Sequence, residues 1–237
     1  MPKERQAVDS GPDRTAALEQ YLQAAPSYDR HMRRFARWQR MAVERLELRS
    51  GETVIDVACG TGLNFSLLEA AVGPTGQIIG IELSPEMVSQ ARERVAAHGW
   101  RNVSLIEAPA ETAAIEGVAD AALFSFTHDV LQSPTAIANV VAHLKPGARL
   151  SSVGAKLAGG WSPLVNMLVR RSARPYTTTF RGLDRPWREL ERHVHEFDVK
   201  SLALGGAYVA SARLTNKASA QAAQELSRIH EEEEPAG

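Results

Sequence analysis

The segment Val54-Ile55-Asp56-Val57-Ala58-Cys59-Gly60-Thr61-Gly62-Leu63-Asn64 constrains the fold of this chain more than any other stretch. A short apolar run ends in an acid and breaks into a glycine turn, and Leu63 to Val72 reads as the helix that follows. Two glycines one residue apart let the backbone bend tightly and bring its N–H groups against a ligand with no Cβ in the way. Gln77-Ile78-Ile79-Gly80-Ile81-Glu82 is a second buried strand, ending in a carboxylate 22 residues after Gly60. A doubly wound sheet places an acid there to hold a ribose diol. The two strand tips therefore predict a nucleoside-bearing cofactor lying across them.

What is missing narrows the cofactor. A dinucleotide fingerprint wants a third glycine where Phe65 stands, and no Tyr-x-x-x-Lys pair follows any of the four tyrosines. Asp56 beside the turn is unfavourable to a pyrophosphate and suits a ligand carrying an ammonium group. Asp56-Val57-Ala58-Cys59-Gly60-Thr61-Gly62, then Glu82, then Leu144-Lys145-Pro146-Gly147, resembles the small-molecule class I S-adenosylmethionine-dependent methyltransferases over roughly residues 20–215. That resemblance implies an α/β fold: a doubly wound, mainly parallel seven-stranded sheet with an antiparallel last strand. N-terminal helices and a lid insertion before the closing hairpin complete it. The implied cofactor is S-adenosyl-L-methionine, with S-adenosyl-L-homocysteine as product, and the implied reaction is in-line methyl transfer to a small-molecule acceptor. An RNA or protein methyltransferase, or a catalytically silent cofactor-binding partner, are the alternatives.

Carried over residue by residue, the backbone of Ala58, Gly60 and Gly62 holds the amino-acid end of the cofactor, with Asp56 and Asn64 alongside. Glu82 accepts from the ribose hydroxyls. Leu83 and Met87 pack on the sugar or base, although Met87 equally suits a core position. Pro109 stands where the family has an acid for the adenine, which leaves the backbone of Ala108 and Ala110, or Glu111, to take that part. Phe126, Thr127 and His128 end the fourth strand; Phe126 counts with the cofactor set and Thr127 with the acceptor. His128 is either a general base or a residue that shapes the pocket or caps the next helix. Tyr28-Asp29 resembles the helical lid over the cofactor. Tyr21, Trp161, Asn166 and Tyr176 are further candidates to meet the acceptor.

Composition limits the partners. With 27 basic and 28 acidic side chains the net charge is −1, so no global field favours nucleic acid or an anionic membrane. Arg30, Arg33, Arg34, Arg37 and Arg40 then read as a solvated helix face, and Arg170, Arg171 and Arg174 as surface or as a clamp for an anionic acceptor. Cys59 is the only cysteine, which excludes an internal disulfide and allows a reducing compartment. No apolar leader opens the chain and no run of about 18 apolar residues occurs, so a cytoplasmic protein is expected. A lone Asp129 near the fourth strand gives no metal site, and His193 and His195 read as exposed. The oligomeric state stays open, a homodimer included.

Residues 1–14 read as a flexible arm, 15–216 as one domain with a lid at 157–196, and 217–237 as a frayed helix and acidic tail. Helix is expected over 15–48, 63–72, 85–98 and 134–144, and strand over 53–57, 77–82, 103–107, 121–126 and 149–154. Phe197–Leu204 and Tyr208–Leu214 form the closing hairpin. Ser84-Pro85 and Ser133-Pro134 are helix starts and Gly99 a stop.

Overall fold

The computed structural model describes residues 12–160 and 162–233, without the side chains of residues 14, 21, 23–27 and 229–233. Most of the expected arm, Trp161, the Tyr21 side chain and the end of the acidic tail lie outside the described residues.

Seven strands form one sheet in the order β3-β2-β1-β4-β5-β7-β6. They are β1 Thr53–Val57, β2 Gln77–Glu82, β3 Val103–Glu107, β4 Ala119–Ser125, β5 Leu144–Ala155, β6 Val194–Leu202 and β7 Ala207–Leu214. The first five pair parallel with one another, whereas β7 lies antiparallel between β5 and β6. The helices are α1 Arg14–Met32, α2 Ala36–Glu44, α3 Phe65–Val72, α4 Pro85–His98, α5 His128–Leu131, α6 Pro134–Ala142, α7 Pro163–Ala173 and α8 Ala218–Glu233.

The apolar runs of the central strands follow from burial on both faces. Val54, Ile78, Ala121 and Leu123 pack with Phe65 and Leu68 on one side. Ile55, Ile79, Ala122 and Phe124 pack with Ile137 and Val140 on the other. Side chains of period 2 reach two cores from one strand, and each large one buried contributes about 1.5–3 kcal/mol. The helix starts behave as their residues require: Ser84 Oγ accepts from the Met87 N–H and Ser133 Oγ from the Ala136 N–H. Gly99, at φ +67°, closes α4.

Three elements differ from expectation. The run 15–48 divides at a 3-10 turn, Arg33–Phe35, into α1 and α2. A full helix, α7, stands inside the insertion. The helix expected to fray at the C-terminus is docked, because alanines one turn apart let α8 approach closely; Ala218 and Ala222 are buried in the core. Among the described residues no helix is long and apolar enough to cross a membrane.

Candidate active site

The turn after β1 carries left-handed backbone at Ala58 (φ +51°), Gly60 (+57°) and Gly62 (+74°). A Cβ on Gly62 would lie 2.5 Å from the Phe65 ring, so that glycine admits the first residue of α3 to the core. A Cβ on Gly60 would meet the Tyr28 ring at 3.6 Å, an ordinary contact, so the left-handed backbone and not the space is what asks for glycine there. Two of the N–H groups expected to meet a ligand, those of Gly60 and Gly62, are committed elsewhere. Gly60 N–H donates to Glu82 Oε2 at 2.9 Å, and Gly62 N–H donates to the Cys59 carbonyl at 3.0 Å. Ser84 N–H donates to Glu82 Oε1 at 2.9 Å. The buried Glu82 carboxylate is thus aimed by two backbone donors, and each oxygen keeps a lone pair for a further one. Burial pushes its pKa up, against those hydrogen bonds.

Glu82 forms the floor of a narrow first cavity of about 80 Å³. Tyr28, Ala58, Leu83, Met87 and Ala108 converge on it, as do Ala110 and Thr127. Met87 lines the cavity and is 1% exposed. Ala110 offers a carbonyl already accepting from Asn139 Nδ2, and Glu111 accepts from Ser133 Oγ. Asp56 and Asn64 stand behind the wall and line neither this cavity nor the next. Asp56 is fully buried, with the Asn64 amide 3.2 and 3.3 Å from its two oxygens. The Asp56 oxygens therefore face Asn64 and neither cavity. Loss of solvation raises the Asp56 pKa to about 7, with Glu82 adding to the effect.

A second cavity of about 340 Å³ lies between the α1–α2 junction and the insertion. Aromatic side chains build it: Tyr28 meets Tyr176 edge-on with centroids 5.7 Å apart, and Phe35 meets Phe126 at 5.0 Å. Phe126, expected with the cofactor set, lines this cavity and not the first. Its backbone is turned to φ +60°, a strained state for a bulky residue, costing on the order of 1–3 kcal/mol and typical of functional sites.

That bend sends successive residues to different cavities. Thr127 lines the first and His128 the second, while Tyr28 is a wall of both. Thr127 Oγ1 and His128 Nδ1 are buried without a hydrogen-bond partner. His128 Nε2 lies 3.0 Å from the Arg181 carbonyl. A carbonyl only accepts, so Nε2 carries the proton and Nδ1 holds a free lone pair. Burial lowers the His128 pKa, opposed by the nearby Asp129 charge.

Two tethers were not anticipated. Asp129, expected only as a stray carboxylate, accepts from Thr177 Oγ1 and from the Thr178 N–H and hydroxyl, clamping the insertion to the tip of β4. Asp29 accepts from Thr61 Oγ1 and Arg94, which locks α1 onto the glycine turn. An acid opening a helix and a later run of three threonines was the available signal for the first. Asp129→Ala removes three bonds to a charged acceptor and should destabilise the fold by roughly 2–3 kcal/mol. A thermal unfolding midpoint equal to wild type would remove the clamp assignment. Asn166, expected to meet the acceptor, braces the Ala158 backbone with both ends of its amide. Tyr176 lines the second cavity. Among the described residues no group of three His, Cys, Asp or Glu can hold a metal.

Residues 54–147 match the family described as a methyltransferase domain. The chain is 29% identical over 173 residues to demethylmenaquinone methyltransferase of Symbiobacterium thermophilum, covering 62% of this chain and 67% of that protein. It is 30% identical over 149 residues to the ubiquinone/menaquinone biosynthesis C-methyltransferase UbiE of Pseudomonas putida, covering 62% of this chain and 56% of that protein. It therefore spans little more than half the length of the Pseudomonas relative. Among solved structures, a SAM-dependent methyltransferase from Aquifex aeolicus superposes with a TM-score of 0.52 at 19% identity, over 75% of this chain and 89% of that one. Phosphoethanolamine N-methyltransferase 2 of Haemonchus contortus, bound to S-adenosyl-L-methionine, gives 0.60 at 11% identity, over 76% and 52%. At these identities the likeness is one of fold.

Proposed function

We propose that this chain, a class I S-adenosylmethionine-dependent methyltransferase, methylates a small ring-bearing acceptor of the phenol or quinol class seated in the second cavity. The observation that carries the reading is the split at the tip of β4. Thr127 looks into the cavity floored by Glu82, and the adjacent His128 looks into the aromatic one. A donor site and an acceptor site thus adjoin at one bend of the chain. The quinone-pathway names of the relatives support a ring-bearing acceptor.

The residues present fit the cofactor. Glu82 and Asp56 are buried carboxylates that no cation neutralises among the described residues, so the site is prepared for a positive group. Gly60 and Tyr28 line the same cavity as Glu82. Thr127 Oγ1 is an unclaimed polar atom on the same wall. When bound, the sulfonium supplies an electrophilic methyl with its leaving group built in.

The protein's own part is to position and to move a proton. Glu82 holds the sugar, while Leu83 and Met87 hold the base by apolar contact. The first cavity is far below the roughly 300 Å³ that a small-molecule site occupies. Ligand entry therefore moves Tyr28 and α1, and their return excludes water. Residues 157–196 serve as the lid over the acceptor, within a domain spanning 15–216. His128 Nδ1 takes a proton from the acceptor hydroxyl, and the Arg181 carbonyl fixes the ring that does so.

His128→Ala should lower kcat by more than about tenfold, the lower range for a lost general base, and leave donor affinity intact. Because burial depresses the His128 pKa, kcat should hold down to pH below about 6.5 and fall only beneath it. Full activity in His128→Ala would remove the base and leave the residue as a pocket wall. Absence of turnover on every phenolic or quinol acceptor, with donor binding intact, would favour a silent cofactor-binding protein.

A further inference from the structure

The insertion between β5 and β6 gathers its charge and its exposed apolar surface in one place. Residues 157–183 contain Arg170, Arg171, Arg174 and Arg181 and no Asp or Glu, a local charge of +4 in a chain whose total is −1. On α7, Leu164, Met167 and Leu168 are 64%, 57% and 55% exposed. Their spacing of i, i+3 and i+4 puts them on one stripe. The β6–β7 turn backs onto the same helix, since a Cβ on Gly206 would lie 3.0 Å from Val169 and 3.1 Å from Val165. That turn presents Leu204, 90% exposed and held at φ +54°. Among the described residues Arg170, Arg171 and Arg174 form no ion pair; Arg170 lies over the Phe180 ring at 5.5 Å.

We propose that α7 and Leu204 form a peripheral docking surface for an anionic lipid bilayer. Large apolar side chains on a basic helix are the composition that lies in the headgroup region, leucines toward the acyl chains and arginines on the phosphates. A second copy would set +4 against +4. A nucleic acid would satisfy the arginines and leave the leucines in water. The near-zero total charge, which argued against a membrane partner, averages over this segregation. The contact is a surface one and needs no spanning helix. Leu168 and Arg171 also line the second cavity, so docking brings that cavity to the lipid surface. This last point rests on the acceptor reading; the docking does not.

The test is sedimentation of the full chain with vesicles of phosphatidylcholine alone or mixed with phosphatidylglycerol, at low and high salt. Anionic vesicles should bind at least about tenfold more tightly than neutral ones, and salt should weaken the binding. The triple variant L164E/M167E/L204E should lose at least about tenfold, because each change places a carboxylate against headgroup phosphates. It should keep wild-type donor affinity by calorimetry, since none of the three lines either cavity. Binding to neither vesicle overturns the proposal, as does a triple variant that binds like wild type. A dimer on a sizing column that this variant dissolves would also overturn it, in favour of self-association. Loss of donor binding in wild type would instead sink the methyltransferase reading, and leave the lipid result standing.

Discussion

Glu82→Gln should weaken binding of S-adenosyl-L-homocysteine by roughly a hundredfold or more, measured by calorimetry. The carboxylate is 6% exposed and accepts the Gly60 and Ser84 N–H groups, one on each oxygen. Its remaining lone pairs are the acceptors on the floor of the first cavity. Hydrogen bonds to a charged acceptor contribute about 1.5–3 kcal/mol each, so a ribose diol held twice stands to lose about 3–6 kcal/mol. An amide of the same size cannot replace them. Its NH₂ would face either the Gly60 or the Ser84 N–H, two donors with no acceptor between them. The glycine turn then shifts as well as the sugar. Affinity within threefold of wild type would show that the cavity over β1 and β2 is not the donor site.

Asp56→Asn should have opposite effects on stability and on donor binding. Asp56 is fully buried and its pKa stands near 7 in the folded chain against 3.8 for the unperturbed group. The folded state thus binds a proton more tightly than the unfolded one between those values, and the slope of stability against pH is negative there. The contribution is complete below about pH 4 and is lost as pH climbs through about 7. At about 1.36 kcal/mol per unit, on the order of 2–4 kcal/mol is withheld from the fold at pH 8. Asparagine carries no charge to bury, so the variant should unfold at a higher temperature at pH 8 and gain little at pH 4. A cationic ligand nearby lowers a carboxylate pKa by roughly 1–3 units. Donor affinity in wild type should accordingly rise between about pH 5 and 8, with protons released on binding, and in Asp56→Asn it should be lower and flat. Calorimetry in buffers of different ionisation enthalpy reads that release directly; equal heats in all buffers would remove Asp56 from the donor site.

The same buried pair explains how far the chain could be read without coordinates. Glu82 and the 60–62 turn were visible because their causes are local: strand alternation ends at a tip, and a left-handed bend asks for glycine. The Ser84 and Ser133 caps were visible for the same reason. The destination of the Gly60 N–H was not, since it depends on β2 lying beside β1 in register with it, Val57 opposite Ile81. Pattern reading assumed a free donor where the fold had already engaged one.

α7 and the Asp129 clamp show the other side of that boundary. Thr177 and Thr178 lie 48 and 49 residues beyond Asp129, and only packing brings them to the tip of β4. Likewise, that Thr127 and His128 face different cavities follows from one backbone bend at Phe126, and a string of letters carries no φ. The strands and their tips, the helix caps and the position of Glu82 at the end of β2 come from interactions between residues close along the chain. Which cavity each side chain enters, which acid tethers the insertion and which helix face meets the outside come from contacts between segments far apart, and these exist only once the chain has packed.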